Sequence, residues 1–190
     1  MARKKTFTQT ELFQATHELM LAVGYDNFSF QLLANELDIT RTALYKYYGN
    51  KTDLLRDYLN HQMEDIVGQL SSAKWPSDYQ EKLSHLIDLI IGFSETHRIS
   101  NMIPDQKWKQ VANEKPEVQR SKELHSQFFR FIYDMIEEGQ NNGFLDATIP
   151  PLVIVETIFH SIMLPNHAKL TTEERAYYLK RMLFNGIVNR

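Results

Sequence analysis

Between residues 41 and 47 five side chains with related chemistry stand close together: Arg41, Thr42, Tyr45, Lys46 and Tyr47. At helical spacing Ala43, Leu44 and Tyr48 turn inward, near Leu33, Ala34, Ile39 and Leu54, which leaves those five largely outward. A guanidinium, an ammonium and hydroxyls on the outer side of a short helix suit nucleic acid. Arginine can bond guanine through two N–H groups, a threonine methyl meets that of thymine, and hydroxyls bind phosphate. A helix that enters the roughly 12 Å major groove must be short, amphipathic and polar on its outer side. Taken singly, Arg41 or Lys46 would be read as a solvated surface residue.

Other chemistries lack their residues. The seven glycines are isolated and form neither a P-loop nor a dinucleotide fingerprint, and no nucleophile-elbow or zincin pattern occurs, so no enzyme is expected. With no cysteine there is no disulfide, thiolate zinc site or cysteine nucleophile. His61 with Asp65, and His85 with Asp88, have helical spacings that suit a shared metal, but two such ligands arise often by chance, and neither metal nor cofactor is expected.

The composition is that of a globular protein: 190 residues, 43% hydrophobic, 24% charged and 12% aromatic. The longest apolar stretch, Leu152 to Leu164, is interrupted by Glu156 and His160 and is too short for a membrane span. The basic start, Met1 to Lys5, leads into Thr6-Phe7-Thr8-Gln9 and not into an apolar signal segment, so a cytoplasmic location is expected. The net charge of −3 hides an asymmetry: residues 1–51 hold six basic against five acidic residues, the remainder fifteen against nineteen. Only the first quarter of the chain suits a phosphate-bearing partner.

These residues have to be positioned by helices. Sparse Gly and Pro punctuate long stretches of helical spacing, which predicts an all-α fold. Thr8 with Glu11 forms a capping box for a first helix that Gly24 should end in a left-handed cap. Ser29 caps a segment running to Leu37, and after a three-residue break Thr40 caps a second, Arg41 to Tyr48. Asn50 with Asp53 opens a longer helix to about residue 72. Beyond Pro76, helices are predicted at 78–97, 104–113, 116–140, 150–164 and 172–188, the last opened by Thr171 and Glu174.

Two short helices after a packing helix have the dimensions of a helix-turn-helix. The run Phe28 to Leu55, above all Leu44-Tyr45-Lys46-Tyr47-Tyr48 and Asn50-Lys51-Thr52-Asp53-Leu54-Leu55, resembles the DNA-binding domain of the TetR (tetracycline repressor) family of bacterial transcriptional regulators. Leu37-Asp38 stands where that pattern has Ala-Gly, so the turn must accept Asp in a left-handed conformation. The resemblance covers about a quarter of the chain. It implies a helix-turn-helix domain at 1–51, continuing into a linking helix 51–72, and an all-helical ligand-binding and dimerisation domain at 52–190. It also implies that Arg41, Thr42 and Lys46 approach base edges or nearby phosphates, while Ser29, Thr40, Tyr45, Tyr47 and Lys51 hold the DNA backbone. Arg3, Lys4 and Lys5 suit an arm along the duplex.

In the family the larger domain encloses an inducer pocket, and Trp75, Phe93, His97, Trp108, His125, Phe128 and Tyr133 are candidates to line one here. Helix 150–164 is apolar around most of its circumference. Leu152, Val155, Ile158, Phe159 and Ile162, with Tyr178, Met182 and Leu183 of the last helix, suit a four-helix interface across a two-fold axis. The expected function is a homodimeric repressor released from a palindromic double-stranded operator by a small-molecule effector. The alternative is a co-activator or partner-binding module of the same fold with weak or absent operator binding.

Overall fold

The computed structural model describes residues 7–109, 115–161, 164 and 166–187, and among these every regular element is a helix. Arg3, Lys4, Lys5, Ile162 and the end of the predicted helix 104–113 lie outside the described residues. Two compact units divide the chain. One comprises the described residues through Asp65 together with Glu95–Leu124; the other comprises Ile66–Ser94 and the residues from His125 onward. The chain crosses between them at residues 65–66, 94–95 and 124–125, so compactness divides it elsewhere than at residue 51.

In the first unit, α1 (Gln9–Asn27) opens on the expected capping box, with the Thr8 hydroxyl accepting from the Glu11 N–H at 3.2 Å and the Glu11 carboxylate from the Thr8 N–H at 2.7 Å. Gly24 does not end the helix as expected. It adopts φ +72° and ψ 173°, a glycine-only region outside the left-handed helical well, and one more turn follows the kink. A Cβ at Gly24 would meet no neighbouring atom, so the requirement is conformational. The bend delivers Tyr25 and Phe28 into the core.

Ser29 caps α2 (Phe30–Glu36), its hydroxyl accepting from the Leu32 N–H at 3.3 Å. The turn then passes through Asp38 at φ +53°, the conformation that the Leu37-Asp38 pair was expected to require. The next helix, α3 (Arg41–Leu44), is shorter than predicted, and Tyr45–Tyr47 continue it as a hydrogen-bonded turn. Asn50 and Asp53 bond reciprocally at 3.0 and 2.9 Å to open α4 (Lys51–Ser72). Leu12, Met20, Leu33, Leu44, Leu54 and Tyr58 are at most 1% exposed and fuse these helices into one core, to which Ile99 of α6 (Ser94–Met102) and the half-buried Trp108 of α7 (Asp105–Lys109) also belong.

The second unit holds α5 (Tyr79–Gly92), the later part of α8 (Pro116–Asn141), α9 (Pro151–Ser161) and α10 (Thr172–Ile187). The single helix predicted over 78–97 is broken at Phe93, where Gly92, a poor helix former, leaves the turn weakly supported. Leu83, Leu86, Ile87 and Ile90 of α5, Ile132 and Ile136 of α8 and Ile154 and Ile158 of α9 are all buried. Lys180 fastens α10 to α5 through Asp88 at 2.6 Å and Ser84 at 3.1 Å. Among the described residues no helix is long and apolar enough to cross a membrane.

Candidate nucleic-acid interface

The core determines which side of α3 is free. Leu44 is fully buried and is the helix's one buried residue, so Arg41, Thr42, Tyr45, Lys46 and Tyr47 face outward together. Tyr47 is 68% exposed and Tyr45 46%, each steadied by an edge-on ring, Phe7 at 5.5 Å and the buried Phe30 at 5.0 Å respectively. Arg41 lies over the Tyr45 ring at 5.1 Å and donates from Nη2 to its hydroxyl at 2.6 Å. That pairing restricts the rotamers of both side chains and leaves other guanidinium donors to meet a partner. Thr40 occupies the cap of α3 without a side-chain bond to the helix, so its exposed hydroxyl is not committed to capping.

Tyr48 points the other way, as its phase predicted. Its hydroxyl donates to Asp57 at 2.6 Å, and burial followed by that carboxylate pushes its pKa well above the usual phenol value.

Lys51 is placed differently from the expectation of a phosphate contact. Its ammonium donates to the Tyr25 and Phe28 carbonyls at 2.6 and 3.1 Å and sits 4.1 Å from the Tyr25 ring centre. Burial lowers its pKa, with Asp26 opposing and Lys107 reinforcing the shift. The physical reason is local: the kink at Gly24 leaves carbonyls beside the start of α4, and a cation satisfies them better than water does. Replacing Lys51 with alanine is expected to cost about 1–2 kcal/mol of stability, seen in chemical denaturation. An unchanged salt slope of DNA binding in the same variant would show that the ammonium serves the protein and not a phosphate.

The proposed ligand-lining residues are divided between the two units. His97 and Trp108 fall in the first unit, Trp75, Phe93, His125, Phe128 and Tyr133 in the second. Trp75 packs against His85 and Phe131, Phe128 against Phe159, and Tyr133 stacks on Phe129, while His125 is exposed. The residues suggested for a dimer interface also separate. Val155 and Ile158 of α9 and Leu183 of α10 are 2%, 1% and 7% exposed and belong to the core of their own unit. Leu152, Tyr178 and Met182 are exposed, together with Val153 and Tyr177, and Phe159 is half-buried.

Sequence reasoning missed Arg56, buried at 8% exposure with its guanidinium 4.7 Å from the Trp108 ring centre. A charge wedged between Leu55 and Tyr58 on the apolar side of α4 was the available signal.

A buried helical support that presents a short helix bearing arginine, lysine and hydroxyls outward defines a helix-turn-helix DNA-binding protein. Residues 12–58 match the bacterial regulatory proteins, tetR family. That match covers about a quarter of the chain and identifies this stretch as a TetR-type DNA-binding region. No protein of curated function matches it in sequence. A regulatory protein of the tetR family from Rhodococcus RHA1 is similar in structure, with a TM-score of 0.75 at 14% identity over 97% of this chain and 100% of the other. The transcriptional regulator FadR of Bacillus subtilis, solved with stearoyl-CoA, gives 0.69 at 16% identity over 95% and 100%. A transcriptional regulator of Saccharomonospora viridis, solved with choline, gives 0.68 at 17% over 95% and 97%.

Proposed function

We propose that the protein is a homodimeric repressor that binds a palindromic operator and leaves it when a small molecule binds its helical remainder. Arg41, Thr42 and Lys46 read base edges or nearby phosphates, Ser29, Thr40, Tyr45 and Tyr47 hold the backbone, and Lys51 positions α4. The observation that carries the reading is the outward grouping of the α3 side chains around the buried Leu44. Complexes of structural neighbours with stearoyl-CoA and with choline support a small-molecule effector, without naming the one used here. The exposed Leu152, Tyr178 and Met182 support a second copy as partner, and two copies supply the contact area that one short reading helix lacks.

The test is selection of genomic fragments by the purified protein at two salt concentrations. A short inverted repeat is expected. Arg41→Ala should weaken binding to it by about 1–3 kcal/mol and relax preference at one base pair per half-site. Absence of enrichment, or enrichment indifferent to Arg41→Ala, overturns the reading in favour of a partner-binding module.

A further inference from the structure

Below the turn that follows α3 lies a cavity of about 330 Å³ within the first unit. Tyr47, Tyr48 and Gly49 line one part of it, Arg56 another, and Lys115 with Glu117 at the start of α8 a third. Its volume is within the range of small-molecule sites.

Arg56 is poorly satisfied. It is 8% exposed, its Nη2 makes one long bond of 3.4 Å to the Trp108 carbonyl, and its Nε has no hydrogen-bond partner. A buried guanidinium stays charged and carries five donors, so what this site lacks is an acceptor. Burial lowers the pKa of Arg56 while Asp53 and Glu117 oppose the shift.

The charges around the cavity narrow the ligand. Two cations, Arg56 and Lys115, face three carboxylates, Asp53, Asp57 and Glu117. Asp57 already accepts from Tyr48, and Asp53 from Asn50 with Lys115 at 3.8 Å. A bare anion would enter a site whose formal charge is already negative, and a bare cation would leave Arg56 unmet. One molecule carrying an acceptor anion and a cationic donor answers both demands.

We propose that this cavity binds a small zwitterion, a free amino acid, with its carboxylate on Arg56 and its ammonium toward Glu117. Because Tyr47 belongs both to the cavity wall and to the DNA-facing surface, occupancy would act on operator binding from within the DNA-binding unit. That second step rests on the proposed function; the binding step does not.

The test uses the full chain without DNA, in thermal-shift and calorimetric titrations with each proteinogenic L-amino acid at millimolar concentration. Acetate and methylammonium are the half-ligand controls. At least one amino acid should raise the melting temperature where neither control does. Arg56→Gln and the exposed-site variant Glu117→Gln should each weaken that binding about ten-fold or more. If Arg56→Gln fails to fold, Glu117→Gln decides. No stabilisation by any amino acid overturns the proposal, as does an equal effect of acetate or full retention of binding in a folded variant. Operator recognition by Arg41 is read in a separate assay, so either claim can fail alone.

Discussion

Gly139→Ala is expected to lower the melting temperature of the protein by about 6–12 °C, corresponding to a loss of about 3 kcal/mol. A Cβ at this position would overlap the Tyr79 hydroxyl and the ring carbon bearing it. The ring is held from two sides. Tyr79 is 5% exposed, stacks on Phe144 at 5.0 Å with planes 6° apart, and donates to the Met135 carbonyl at 2.9 Å. Moving it therefore strands a buried carbonyl as well as disturbing the stack. A double variant that also carries Tyr79→Leu should recover part of the loss, because the overlap is gone while the rest of the cost remains. Strict additivity of the two single effects in calorimetry would sink this account.

Leu44→Ala carries the second large effect, about 2–5 kcal/mol, with a consequence for DNA beyond stability. Leu44 is fully buried among residues that include Leu33, Leu54 and Tyr58, and α3 has four residues and no other buried anchor. A helix this short has almost no stability of its own, so its position depends on that one side chain. Operator affinity should fall further than for Arg41→Ala, even at temperatures where circular dichroism shows retained helix, since every outward side chain loses its frame at once. Leu44→Met, which nearly conserves volume, should cost less than about 1.5 kcal/mol and keep binding. Equal binding by the alanine variant and the unchanged protein would show that α3 is not held by Leu44.

Much of the helix-turn-helix was legible because its determinants are local. Thr8 with Glu11, Ser29 and Asn50 with Asp53 each satisfy orphan N–H groups within four residues, so type and spacing suffice to place those helix starts. Asp38 was legible for the same reason, one residue type tolerated in one backbone conformation. The inward turn of Leu44 and Tyr48 followed from helical phase.

Lys51, Phe93 and the apolar residues of α9 and α10 were not settled that way. Whether a lysine near a helix start meets phosphate or protein depends on where the Tyr25 and Phe28 carbonyls lie, and the kink at Gly24 sets that. Which apolar residues of α9 face their own core and which face outward depends on how α9 is rotated, and its sequence is apolar nearly all round. The aromatic residues suggested for a ligand pocket share a composition with packing residues, and the structure uses Trp75 and Phe128 for ring contacts inside the second unit.

Helical class, helix starts and the outward grouping from Arg41 to Tyr47 thus follow from residue order alone, since capping and periodicity act over one or two turns. Packing of distant segments sets the rest: Lys51 clamps α1, Arg56 is buried without a full set of acceptors, and Tyr79 fills the space over Gly139. Each depends on atoms far apart in the chain, and no local spacing encodes which of them will meet.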